Sequence, residues 1–301
     1  MARKGPVVSI GLPVHNGAAF LAETIEAILD QDFTDFELIV SDNASSDATP
    51  EICRRFSAEP RLRHYRQDRN IGGGPNFCFV FDKARGRYFH WCGHDDIHEP
   101  GWLAACVAAL DAAPEAVAVH TRSVYFNDGR GDGRVWYRDY SDAFDLRDPD
   151  PLARWRAAVL HPDVEPSAIF GLFRREALAR THLIASYRGS DKVLLRVLAL
   201  QGQIHAIDGP RLWRWNPPER AGSRIQDTRG WIRWLTGAEP TGHHSYRLRW
   251  IQEYRKALRD SGLDARQRRR AMWPVWRFAW RERHEVWRDL RRAAKARLRG
   301  K

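Results

Sequence analysis

Between residues 7 and 92 the chain repeatedly sets a short β-rich apolar run against a stretch with helical spacing, and this alternation constrains the fold more than any other feature. Residues 7–12, 36–41, 61–66 and 87–92 read as strands. Residues 18–29, the segment carrying Ile52 and Phe56, and residues 75–83 place apolar groups at helical intervals, and Ser46, Asp47 and Thr49 supply capping chemistry before the second helix. Parallel strands need a long crossover between them, which a helix provides. The expected fold class is therefore α/β, a mostly parallel sheet flanked by helices.

Beyond residue 92 the rhythm loosens. A helix is expected over 101–110, a strand over 117–126, a Gly-Asp-rich turn over 127–134, and a further strand over 167–173. Residues 135–165 are polar and aromatic with several prolines, which suits a substrate-covering region better than a core. Ser190 is expected to cap a helix over 191–200 that Gly202 ends, followed by strands at 203–207 and 211–215.

A chain of 301 residues can bury a sizeable core. Its formal net charge of +11 is unevenly spread: residues 243–301 hold 19 of the 49 Lys and Arg against 6 of the 38 Asp and Glu. This divides the chain into a main domain, 1–242, and a basic Trp- and Arg-rich helical tail, 243–301. Cys53, Cys78, Cys92 and Cys106 form no CxxC pair, so neither a disulfide framework nor a zinc knuckle is indicated, and a cytoplasmic setting is expected. No apolar run reaches the length of a membrane span.

In an open α/β sheet, ligands gather beyond the carboxyl ends of the strands, and three unusual segments fall there. The first is SDNASSD (41–47), whose Asp42 follows a buried strand and, as an acceptor-only carboxylate, suits the donors of a nucleotide; Ser46 and Asp47 read rather as helix caps. The second is RNIGGGPN (69–76), whose glycines permit close backbone approach to a ligand or simply form a loop. The third is WCGHDDIHEP (91–100), where His94, Asp95, Asp96 and His98 crowd together. Paired carboxylates there could hold a divalent cation against a diphosphate, or could belong to an Asp-rich turn.

Taken in order and spacing, these segments resemble the family 2 glycosyltransferases of GT-A fold, which begin with a strand ending in Leu12, Pro13, Val14, His15, Asn16 and continue with Asp42 and an Asn-x-Gly loop at Asn70, Ile71, Gly72. The resemblance implies a UDP- or other NDP-sugar donor, with Pro13, His15 and Asn16 lining the nucleotide pocket and Asp42 contacting the base. The family's Asp-x-Asp falls on Gly93, His94, Asp95, so the first acid is absent; Asp95 is expected to hold the metal (Mn²⁺ or Mg²⁺) and diphosphate, with Asp96 and His94 in support. The family's base falls on Asp191, at a helix start. Inversion at the anomeric carbon is also implied. The family's late His is replaced by Asn216, beside which Arg214 could bind phosphate.

In the tail, Trp273, Trp276, Trp280, Trp287, Leu290, Ala294 and Leu298 recur at helical spacing amid arginines, with Pro274 suited to a first helical turn. Such a stripe packs on the main domain, lies in an anionic membrane interface, or contacts nucleic acid; no nucleic-acid motif accompanies it. The sequence therefore points to a transferase acting on a hydroxyl of a glycan, lipid-linked or small-molecule acceptor, cytoplasmic or peripheral at the inner face of the membrane. The alternatives are a degenerate nucleotide-sugar or membrane-binding module and a nucleotidyltransferase, though the latter's phosphate-loop lysine is missing from GLPVHNG.

Overall fold

A computed structural model describes residues 5–126, 137–140, 144–161, 166–215, 228–239, 246–288 and 290–291. Four strands, β1 (Val8–Val14), β2 (Phe36–Asp42), β3 (Leu62–Arg66) and β4 (Tyr88–Trp91), alternate with helices α1 (Leu21–Leu29), α2 (Thr49–Arg55) and α3 (Gly73–Asp82), and β5 (Asp96–His98) follows β4 directly. The chain continues through α4 (Trp102–Ala112), β6 (Ala116–His120), β7 (Ser123–Phe126), β8 (Tyr137–Tyr140), α5 (Pro151–Leu160), a 3-10 turn (Pro166–Phe170) and β9 (Leu172–Arg174). It ends with α6 (Arg175–Ala179), α7 (Ser190–Gln201), β10 (Gln203–Ala206), β11 (Leu212–Trp215), α8 (Thr228–Thr236), α9 (Tyr246–Asp260) and α10 (Ala265–Arg281).

The main sheet has seven strands in the order β10-β6-β9-β4-β1-β2-β3, parallel except for β9, which runs against both neighbours. β1 and β2 are buried along their whole length, as strands covered on both faces must be. A second sheet, β5-β11-β7-β8, stands beside it. The expected mostly parallel α/β architecture is thus what forms.

Three local expectations fail, each for an identifiable reason. The run at 117–126 is two strands, β6 and β7, that belong to different sheets, so the chain changes sheet across Thr121 and Arg122. The run at 167–173 begins as a 3-10 turn and becomes strand only after Gly171, where a Cβ would come within 2.3 Å of the Val119 carbonyl oxygen. Part of the expected covering region is core instead: Phe144, Trp155, Ala158 and Val159 are fully buried, and α5 packs on α7. The turn expected at 127–134 lies outside the described residues, as does Asn216.

The helices of the tail share a third apolar cluster with α5 and α7, in which Trp155, Val193 and Val197 meet Trp250, Tyr254, Val275 and Phe278. A capping box, Asp264 with Gln267, starts α10 at Ala265, so Pro274 lies well inside the helix rather than in its first turn. The face of α10 that packs inward is Ala271, Pro274, Val275 and Phe278, not the tryptophan stripe.

Candidate active site

The strand ends of β1, β2 and β3 are tied into one unit by side chains. Asp42, fully buried at the end of β2, accepts from the Ser45 amide (2.8 Å) and from Arg66 (2.6 Å). Arg66 closes β3 directly across the ladder from Asp42, so parallel register alone brings the two charges together. Asn43, next along, accepts from the Ile71 amide and donates to Asn70, while Asn70 accepts from the Gly72 amide at 2.9 Å. The Asn-x-Gly loop is thereby fastened to the end of β2.

The loop after β1 is held in the same way. His15 donates through Nδ1 to the Asn43 carbonyl at 3.0 Å, and Asn16, in the left-handed region at φ 54°, accepts from the Ser46 amide. Asp47 accepts from the Ala18 amide and from the Thr49 amide and hydroxyl. Ser46 therefore does not cap α2, whose N-cap is Ala48; it stitches one strand-end loop to another, while Asp47 forms a side-chain turn just before the helix. His15 and Asn16 keep exposed surface above this framework, and Pro13 sits in the buried end of β1 beneath them.

Gly72 is required where it stands. Its φ is +89°, and a Cβ there would lie 2.4 Å from the Thr236 backbone, so the end of α8 closes directly over the Asn-x-Gly loop.

At the end of β4 the Gly-His-Asp-Asp turn has an internal logic. Asp96 turns back to accept from the Gly93 amide at 3.1 Å and pairs with Arg214 at 3.3 Å, all three buried or nearly so. A Cβ on Gly93 would sit 2.7 Å from one Asp96 carboxylate oxygen and 3.1 Å from one of Asp95. The position of the family's first acid is therefore filled by the carboxylates of its two neighbours. Asp96 does not stand ready for a metal: its carboxylate is committed to Gly93 and Arg214. Arg214 likewise is not an open phosphate ligand, being buried over the Phe170 ring with its guanidinium 4.0 Å from the centroid. The His94 ring lies against Gly17, in the loop after β1, which brings the β4 turn to the same sheet edge as Asp42.

Donor atoms suited to a divalent cation at this edge are the Asp95 carboxylate and the His94 imidazole, and phosphate oxygens would complete such a shell, so the residues fit the cation in a reduced form. Among the described residues one other group could gather around an ion: His90, Cys92 and His98, one shell deeper and fully buried. There the two imidazoles bond to each other at 2.9 Å, and His90 Nδ1 meets the Gly171 carbonyl. Burial pushes His90 down to about 4, holds His98 well below the ordinary range, and raises the Cys92 thiol. That cluster is a neutral lock between β4 and β5, without the hard oxygen donors that a diphosphate-bound cation prefers.

Asp191 stands at the start of α7, half-buried. Burial raises its carboxyl, and the Lys192 amide, the Lys192 charge and Arg196 only partly oppose the shift. Ser190 does not cap the helix: the N-cap is Gly189, at φ +75°, where a Cβ would strike the Trp250 ring at 2.2 Å. Trp250, from the tail, also donates its indole N–H to the Arg188 carbonyl at 2.9 Å. The link from Asp191 to the strand ends runs through packing: α7 contacts the 3-10 turn, whose Phe170 supports Arg214 and so Asp96. The sequence reading missed Arg66, Asn43, the locking role of Arg214 and Trp250; of these only Arg66 had a signal, its place opposite Asp42 once the β2–β3 register is known.

Residues 9–178, more than half of the sequence, match the model of the family described as glycosyl transferase family 2. Among curated proteins, the chain is 33% identical over 167 residues to the succinoglycan biosynthesis protein ExoO of Rhizobium meliloti, covering 56% of this chain and 44% of that protein. It is also 33% identical over 95 residues to an uncharacterized glycosyltransferase of Rickettsia bellii, covering 32% of this chain and 14% of that one. The chain thus spans less than half the length of these relatives. In fold it is similar to S. aureus TarS 1-349, with a TM-score of 0.61 and 14% identity over 91% of this chain and 71% of that one, a protein also solved in complex with UDP-GlcNAc. A mannosyltransferase from Pyrobaculum calidifontis, solved with GDP-Man and Mn²⁺, gives a TM-score of 0.53 at 18% identity over 97% of this chain and 74% of that one. These likenesses carry the GT-A fold. With the family's strand-end loops in place on its own residues, the chain belongs to glycosyl transferase family 2.

Proposed function

We propose that this protein transfers a sugar from an NDP-sugar, UDP-linked, to a hydroxyl of a glycan, lipid-linked or small-molecule acceptor, by single displacement with inversion. The observation that carries this reading is the knitting together of the loops after β1, β2 and β3 by Asp42, Asn43, Asn16 and Asn70 beside the Asp95 turn. Pro13, His15, Asn16, Asn70 and Gly72 line the nucleotide side. Asp42 is assigned to the base; within the protein it accepts from the Ser45 amide and from Arg66.

Asp95, with His94, would hold a divalent cation, Mn²⁺ or Mg²⁺, which when bound would supply positive charge to the diphosphate leaving group. Asp96 and Arg214 fix the turn that presents Asp95. Asp191 takes the proton of the acceptor hydroxyl as its oxygen attacks; a carboxyl raised by burial is a stronger base than an ordinary aspartate. Residues 1–242 carry the chemistry, and the basic tail, 243–301, is anchored through α9 and α10, which pack on α5 and α7. The enzyme works in the cytoplasm, peripherally at the inner face of the membrane, where lipid-linked acceptors lie. No helix among the described residues is long and apolar enough to cross that membrane.

The test is nucleotide release from a panel of NDP-sugars with Mn²⁺ or Mg²⁺, comparing the native protein with Asp95→Ala and Asp191→Asn. Metal-dependent release that Asp95→Ala abolishes supports the assignment. Binding without release would leave only a nucleotide-sugar-binding module, and pyrophosphate released from an NTP would point to a nucleotidyltransferase.

A further inference from the structure

α10 has two apolar faces, and only one is covered. Ala271, Val275 and Phe278 point into the protein and are at most 2% exposed. At 100° per residue, Trp273, Trp276 and Trp280 fall on the opposite side of the same helix, and they are 48%, 61% and 71% exposed. Trp287, farther along at 62%, continues the stripe to Leu290. Exposed indoles in such a row are not explained by folding, since the helix is already anchored by its other side.

The stripe borders a groove of about 1090 Å³ whose wall on the α5 side is Leu160. Arginines rim it. The Arg277 guanidinium lies 5.1 Å from the Trp273 ring centroid and that of Arg283 lies 4.9 Å from the Trp280 centroid, so these two indoles each carry a cation on the ring face. α10 itself contains six arginines and no acid.

We infer that this tryptophan and arginine face of α10 is the membrane-docking surface, with its occupant the headgroup and upper acyl zone of an anionic phospholipid leaflet. The inference names the residues that would carry the peripheral attachment proposed above and rests on that placement. Charge selects the occupant. A second copy of the chain would set one all-cationic helix against another, whereas anionic lipid supplies counter-charge along α10; beyond it Glu282 and Glu285 already pair with Arg281 and Arg288. The apolar stripe fits the same partner: indoles settle at the boundary between headgroups and acyl chains, and the arginines beside them reach phosphate.

The experiment is co-sedimentation of the full-length protein with vesicles of phosphatidylcholine alone or of phosphatidylcholine mixed with phosphatidylglycerol. The native chain is expected to pellet with the mixed vesicles, about tenfold more weakly with the neutral ones, and less as salt rises. Trp276→Ser with Trp280→Ser should lower partitioning by about tenfold or more without shifting the melting temperature, because both side chains are outside the core. Equal pelleting of native and variant protein, or no preference for anionic vesicles, overturns the inference. So does self-association or nucleic-acid binding that the variant loses in the absence of any vesicle binding. Nucleotide release from soluble NDP-sugar separates the two readings: pelleting without release leaves the lipid surface standing and removes the transferase, and release without pelleting does the reverse.

Discussion

The carboxylates at the strand ends and the carboxylate at the start of α7 occupy opposite electrostatic settings. Asp42 meets Arg66 and a backbone amide, and Asp96 meets Arg214 and another. Asp191 has cations nearby but none strong enough to offset its burial, and its carboxyl is raised. The first kind of acid is neutralised where it lies, so it shapes loops and resists reorganisation. The second is held in an unfavourable charged state, which is costly for folding and useful for taking a proton. The same residue type is thus scaffold at one place and, in the function proposed, reagent at the other.

The largest expected effect tests the reagent side. Asp191→Asn should reduce sugar transfer by roughly 10²–10⁴-fold, the usual contribution of a positioned base, while donor binding stays within about twofold of native. In the native enzyme kcat should rise with pH through the raised Asp191 value, giving an acid limb displaced upward from that of an ordinary aspartate. The stability effect should have the opposite sign. A carboxyl raised in the folded state stabilises the fold only while protonated, and that contribution is lost as pH climbs through its folded value. Asp191→Asn should therefore melt slightly higher than native at neutral pH, by a fraction of about 1 kcal/mol given its partial exposure. A variant that melts lower and retains transfer would defeat the contrast.

Arg214→Met probes the scaffold side and comes next. It strands Asp96, fully buried, without its cation, and removal of one partner from such a pair costs about 3–5 kcal/mol. Thermal or denaturant unfolding should register that loss. The double variant Arg214→Met with Asp96→Asn should recover part of it, since the Asp96 charge is removed while the buried Asp95 carboxyl, which also acts on Arg214, remains. Failure of the double variant to recover any of it would place the contribution of Arg214 in its packing on Phe170 and its contacts with Tyr125 and Asp95.

What the sequence revealed follows the range over which each cause acts. The β-α alternation and the strand-end loops arise from local apolar runs and turn residues, so they could be read directly, and the family resemblance added Asp95 and Asp191 to them. The role of Arg214 could not be read, because its partner lies 118 residues away and the pairing depends on β11 lying beside β5. The tail misled for a different reason. Judged by residue type, the tryptophans are its most apolar stripe, yet Ala271, Pro274 and Val275 are small enough to let α10 approach α5 and α9, and close approach decided which face was buried. Gly189 is a third case: only the Trp250 ring above it shows why the helix begins there.

Asp95→Ala should weaken Mn²⁺-dependent donor binding by about tenfold or more, and because Asp95 is buried and acts on Arg214 within the protein, some loss of stability should accompany it. Restoring the family's first acid by Gly93→Asp should not rescue it. The new Cβ would collide with the Asp96 carboxylate that holds the turn, so the substitution should lower both stability and donor affinity. Calorimetric titration of UDP with and without Mn²⁺ separates these outcomes.

The smallest expected effect lies where the tail touches the candidate base. Gly189→Ala places a methyl on a residue at φ +75° beneath the Trp250 ring, and the combined backbone strain and displaced ring should cost about 1–3 kcal/mol. Trp250→Phe keeps an aromatic ring against Phe278 but removes the N–H that holds the Arg188 carbonyl. If that turn orients Asp191, the phenylalanine variant should melt within about 1 kcal/mol of native, the scale of one neutral hydrogen bond, yet lose several-fold in kcat at unchanged donor KM. A parallel fall in stability with unaltered kcat would instead make the tail a buttress for α7, with no part in aiming its first carboxylate.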